Sequence, residues 1–86
     1  MNNIKKIVNY YGEQTQARKA IENLNGLAVA IANKDRKSIL EGMANVFMAM
    51  EYLKEFDFFN YDEFTDIVVY KMKEQIEIIR EESINE

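Results

Sequence analysis

Apolar residues recur every three to four positions along three stretches of the chain, the period of helices that each bury one face. On a wheel of about 100° per residue the first stretch gathers Ala17, Ala20, Ile21, Leu24, Leu27, Ala28 and Ile31 on one side. The second gathers Ile39, Leu40, Met43, Val46, Phe47, Met50 and Leu53, and the third Phe64, Ile67, Val68, Met72, Ile78 and Ile79. These stripes are expected to form the core. Gly12 separates a short leading segment, Asn3 to Tyr11, from the run Glu13 to Asn33, and Lys34 to Lys37 reads as a polar turn before the run Ser38 to Phe56. Asn60 with Glu63 has the spacing of a helix-opening capping box, after which the last run reaches about Glu82 and gives way to a polar tail, 83–86. The pattern therefore predicts an all-α fold, a short N-terminal helix plus three long helices, in a single domain over 1–86 without repeats or linkers.

Beside the stripe of the second helix lies a flank of Gln16, Lys19, Asn23, Gly26 and Ala30, and the matching flank of the third carries Gly42, Asn45 and Ala49. Glycine inside a helix costs about 1 kcal/mol relative to alanine, so two at equivalent positions call for a reason. Close packing of the two helices is one reason, and a ligand pocket between them is the other.

A chain of 86 residues buries roughly three fifths to two thirds of its unfolded surface, so a lone copy has a thin core and self-association is expected. With 48% hydrophobic and 30% charged residues the composition is globular, and no window is long and apolar enough to span a bilayer. The lysines near the start are followed by no apolar signal region, which points to a cytoplasmic protein. There is no cysteine and no histidine, so disulfides, thiol catalysis, thiolate metal sites and imidazole bases are excluded. A net charge of −4 with mixed signs argues against general nucleic-acid binding.

The segment Tyr11-Gly12-Glu13-Gln14-Thr15-Gln16-Ala17-Arg18-Lys19-Ala20-Ile21-Glu22-Asn23-Leu24-Asn25-Gly26-Leu27 resembles the opening of the MazG-like all-α nucleoside triphosphate pyrophosphatases, G-x-x-x-Q-x-x-K-A-I-E-E-L-x-E-L. A second segment, Glu41-Gly42-Met43-Ala44-Asn45-Val46-Phe47-Met48-Ala49-Met50-Glu51-Tyr52-Leu53, is similar to the family's E-E-x-A-D-V-x-I-M-L-E-Q-L, and Lys71 and Arg80 fit its closing K…R region. The resemblance implies a MazG-like four-helix unit that completes its bundle by forming a homodimer or homotetramer. It also implies a magnesium site built from E-x-x-E on one helix and E-x-x-D on the next. Those four places fall on Asn23, Gly26, Gly42 and Asn45, none of which is a carboxylate. Magnesium favours hard, usually anionic oxygen donors, so the pattern reads as a metal site stripped of its ligands. Glu22 and Glu41 remain in the motif, but the wheel turns both toward solvent; Glu51 and Glu55 lie toward the other flank, and Glu13 belongs to a first helical turn.

Lys71 and Gln75 project from the middle of the last helix's apolar face, where an unpaired ammonium is costly; they contact either a phosphate or a partner, or the lysine stem snorkels to the edge. Lys19 has the same two readings. Asn23 and Asn45 would fill the space between their helices by hydrogen-bonding each other. The ligand-binding candidates are thus Gln16, Lys19, Asn23, Asn45, Lys71 and Gln75. Phe56, Phe58, Phe59, Tyr61 and Phe64 crowd into one connection; they read as anchors of an interface, with base stacking as the alternative. Tyr10 and Tyr11 close the end of the bundle, and Lys34, Arg36 and Lys37 form a solvated turn.

Three function classes follow. The leading one is a catalytically inactive MazG-like protein, of the small divergent kind found in bacterial and phage genomes, that regulates or inhibits by binding. Its partners would be itself, a host protein or a nucleotide, with no cofactor. The second is an active pyrophosphatase with displaced ligands, which alone would need Mg²⁺. The third is a purely structural oligomer.

Overall fold

The computed structural model describes residues 3–85, leaving Met1, Asn2 and Glu86, the outer ends of the expected 1–86 domain and the last residue of its polar tail, outside the described residues. The described chain is all-α, with a short first helix, α1 (Asn3–Tyr11), and three long ones, α2 (Glu13–Asn33), α3 (Arg36–Leu53) and α4 (Tyr61–Asn85).

Breakers in the sequence set the boundaries, with local corrections. Gly12 joins α1 to α2 at φ 84°, ψ 164°, a conformation that a Cβ would strain, while its N–H donates to the Val8 carbonyl at 2.8 Å. The turn between α2 and α3 is two residues rather than four. Lys34 takes the left-handed conformation, φ 57°, and its N–H donates to the Ile31 carbonyl at 3.1 Å. Asp35 flanks α3 and accepts a hydrogen bond from the Ser38 hydroxyl, which ties the turn together and lets α3 start at Arg36. Asn60 caps α4: its Oδ1 accepts the Glu63 N–H at 2.9 Å, the forward half of the expected capping box. α4 then continues past Glu82 to Asn85, because the polar residues there are still good helix formers and no breaker intervenes.

α2 and α3 form an antiparallel hairpin, and α1 packs against both. Among the described residues α4 packs against none of the other three helices. The expected four-helix unit is therefore a three-helix body with a projecting fourth helix. The radius of gyration is 16.9 Å, against about 12 Å for a compact chain of this length.

Of the sequence stripes only Ala20 is fully buried, and Leu27, Ile39, Val46, Leu53 and Phe64 are half-buried. α2 and α3 meet along their small residues, where Gln16 and Ala30 of the α2 flank, Ala20 at the edge of its stripe, and Gly42 and Ala49 of α3 are buried. Ile21, Leu24, Ile31, Leu40, Met43, Phe47 and Met50 are exposed, Phe47 to 63%. Small side chains let the two backbones approach, and the large ones are then turned to one side. On both helices the exposed stripe lies about 100° from the contact line in the same rotational sense. Because the helices are antiparallel, the two stripes share one side of the hairpin.

The two glycines part company here. A Cβ on Gly42 would stand 3.1 Å from both Cα and Cδ1 of Leu27, so its absence sets how closely the helices pack. A Cβ on Gly26 would meet nothing within 4 Å. Gly26→Ala is expected to stabilise the protein by about 0.5–1 kcal/mol through helix propensity alone. Gly42→Ala should fall short of that gain by about 1 kcal/mol or more, because the hairpin must widen. Lys34→Gly should add about 1 kcal/mol by relieving the left-handed residue. Urea midpoints of the three variants test all of this, and equal shifts for the two alanine variants would contradict the close contact at Gly42.

Candidate functional site

The side of the hairpin opposite the apolar stripes carries the polar flank, and α1 lies across its end. A cleft of about 390 Å³ opens there, lined by Ile7 and Tyr11 of α1, Gln16, Lys19 and Asn23 of α2, and Asn45, Met48 and Tyr52 of α3. Helical spacing explains the set. Lys19 and Asn23 follow Gln16 by three and seven residues, and Met48 and Tyr52 follow Asn45 by three and seven, so each helix contributes one vertical row.

Gln16 occupies the floor and is only 2% exposed. Its Oε1 and Nε2 differ in fate: Nε2 is buried with no hydrogen-bond partner. An unpaired buried donor costs about 1–3 kcal/mol, a free energy that a ligand oxygen placed against it would recover. The Lys19 ammonium sits 4.7 Å from the centre of the Tyr11 ring, a cation–π contact that holds the charge at the cleft wall. It stays partly solvated and keeps donors free for an anion.

A smaller hollow of about 160 Å³ adjoins the cleft through Asn23 and Asn45, and Glu22, Gly26, Leu27, Ala30, Ser38, Glu41 and Gly42 complete its wall. All four positions matched to the resembling family's metal ligands, Asn23, Gly26, Gly42 and Asn45, thus border one space. Their donors do not fit a pair of magnesium ions: two neutral amides and two glycines supply no anionic oxygen. Among the described residues no three acidic, histidine or cysteine side chains group closely enough to hold a metal ion. Glu22 and Glu41 are exposed, as the wheel implies, yet both reach the rim of this hollow, because the helices meet on the small flank rather than on the stripes. Glu51 is engaged by Lys54 at 2.9 Å. No hydrogen bond joins Asn23 to Asn45 among the described residues, and the space between them is open.

Lys71 and Gln75 do not join this group. They are exposed on α4 and line a shallow hollow with Val68, Met72 and Ile76. Since α4 packs on no other helix, the Lys71 ammonium is solvated within the chain and needs no phosphate to stabilise it. In the connection Phe56 is buried and belongs to the core, whereas Phe58 and Tyr61 are exposed. Phe59 packs against Phe64 with centroids 5.6 Å apart and the rings tilted by 50°, which joins the start of α4 to the loop. An apolar hollow of about 160 Å³ between Met50, Leu53, Lys54, Phe58, Phe59 and Phe64 marks where that loop meets the end of α3.

Tyr11, Met48, Tyr52 and Ile7 line the cleft although the polar flanks alone did not single them out. The heptad step from Asn45 to Tyr52 is the signal that leads to two of them. No protein-family model, curated protein or solved structure matches this chain.

Gln16→Leu removes the orphaned donor and nearly conserves volume. It is expected to raise the stability of the free protein by about 1 kcal/mol, read from the urea midpoint. A loss of stability of that size would mean that the Gln16 amide is satisfied in the free protein.

Proposed function

We propose that this chain is a binding module without catalysis, built on a MazG-like scaffold whose metal positions carry no ligands, and that it captures a small anionic ligand of nucleotide type. The observation that carries the reading is the buried Gln16 amide left without a partner at the floor of a cleft that also holds Lys19, Asn23 and Asn45. One fixed cation, three amides and two tyrosines suit a phosphate oxygen together with a planar polar group. They offer no general base, no nucleophile poised beside one and no clustered carboxylates, so the same groups that bind have nothing with which to hydrolyse.

A second reading has one observation in its favour. Glu22 and Glu41 border the hollow beside Asn23 and Asn45, so an active pyrophosphatase with displaced ligands would place its magnesium there. Such an enzyme needs both carboxylates, and in the first reading neither matters.

Isothermal titration of the purified protein with nucleoside mono-, di- and triphosphates, with and without Mg²⁺, separates the two. The expected result is metal-independent binding of at least one of them that Lys19→Ala and Asn45→Ala each weaken about tenfold, the equivalent of one charge-assisted hydrogen bond. No pyrophosphate should be released. Mg²⁺-dependent release of pyrophosphate that Glu22→Gln or Glu41→Gln abolishes would overturn the proposal and establish the second reading.

A further inference from the structure

The apolar side of the hairpin and the projecting α4 pose one problem together. The buried apolar residues of the described chain are Val8, Ala20, Ala30, Ala49 and Phe56, with no large side chain fully enclosed. Three alanines, a valine and one phenylalanine bury too little to hold four helices in place. A helix of 25 residues with no helical neighbour has propensity alone to keep it formed in water.

The surface quantifies the deficit. The chain exposes 7302 Å², whereas a folded monomer of 10.1 kDa exposes about 5,300 Å². The surplus, about 2,000 Å² per chain, amounts to about 4,000 Å² for two copies, which is the size of an obligate dimer interface rather than of a transient contact.

Length and charge say which surfaces meet. α4, with 25 residues, spans about 37 Å, and the 21-residue α2 about 31 Å, so the arm covers the hairpin from end to end. Residues 3–53 hold seven basic and five acidic side chains, while α4 holds seven acidic and three basic. Like charge disfavours two α4 arms lying on each other, and opposite charge favours an arm on a body. Within one chain α4 packs on none of the other described helices, and its first turn is held to the connection by Phe64 against Phe59, ring centroids 5.6 Å apart.

We propose that two copies of this chain exchange their fourth helices, each α4 seating its Val68, Met72, Ile76 and Ile79 row on the other copy's Ile21, Leu24, Met43 and Phe47 face. All of these side chains are exposed in the single chain. The exchange is reciprocal, so both apolar faces and both arms are covered by one two-fold operation. The polar cleft lies on the opposite side of the hairpin and stays open in the pair. The inference is therefore independent of what the cleft binds.

Native mass spectrometry of the full chain is expected to show twice the 10.1 kDa chain mass, or a multiple of that pair; a monomer at micromolar concentration overturns the proposal. Met43→Glu combined with Phe47→Glu should convert the assembly to monomer. Because that variant can also lose helix, a second measurement decides the geometry. The chain has no cysteine, so Met72→Cys accepts a single benzophenone label, and pairs reassembled from isotopically light and heavy chains can be photo-crosslinked. Light-to-heavy crosslinks from α4 to α2 or α3 support the exchange. Crosslinks confined to one chain, or joining α4 to α4, refute it.

Discussion

The contact between α2 and α3 through their small residues is the constraint on which the rest of the structure depends. Gly42 allows the backbone of α3 to approach Leu27 so closely that an added Cβ would stand 3.1 Å from it and the helices would have to give, and Ala20, Ala30 and Ala49 continue the same close seam. Choosing this seam fixes the rotation of both helices about their axes. Once that rotation is set, the large apolar side chains have one side of the hairpin and the amides the other.

This division gives the two sides different physical requirements. On the polar side the Gln16 Nε2 at the cleft floor is, among the described residues, the buried side-chain polar atom without a hydrogen-bond partner. This unpaired donor carries a cost of about 1–3 kcal/mol in the free chain, the feature on which the proposed binding rests. On the apolar side no segment among the described residues covers Phe47, Met43, Leu24 and Ile21, and a contiguous exposed face of this kind is the one on which the proposed exchange of fourth helices rests. A small core and a large uncovered face are then two aspects of one choice of helix contact.

The two glycines illustrate how a shared sequence feature divides in space. Gly42 is a packing residue, pressed against Leu27, whereas Gly26 faces the hollow beside Asn23 and serves neither contact nor turn. Close packing accounts for Gly42, while Gly26 has no neighbour within 4 Å of an added Cβ and only borders the hollow that Gly42 also lines. The candidates on the last helix separate in the same way, because α4 carries Lys71 and Gln75 away from the cleft that holds Gln16, Lys19, Asn23 and Asn45.

Local chemistry is what the sequence determined. The period of the apolar residues, the breaker at Gly12 and the Asn60 cap specified four helices and most of their ends, because propensity, capping and hydrogen bonding act over a few neighbouring residues. The row Gln16–Lys19–Asn23 was legible too, as helical spacing alone aligns it, whereas Met48 and Tyr52, in line with Asn45, were not singled out. Which face of each helix would turn inward was not legible. The wheel favoured the faces with the largest apolar residues, but two helices joined by a two-residue turn approach most closely where their side chains are smallest. Tertiary structure decided that contest, and with it the exposure of the stripes, the place of Glu22 and Glu41 at the rim of the hollow, and the isolation of α4. Distances between helices belong to packing, which no single helix encodes.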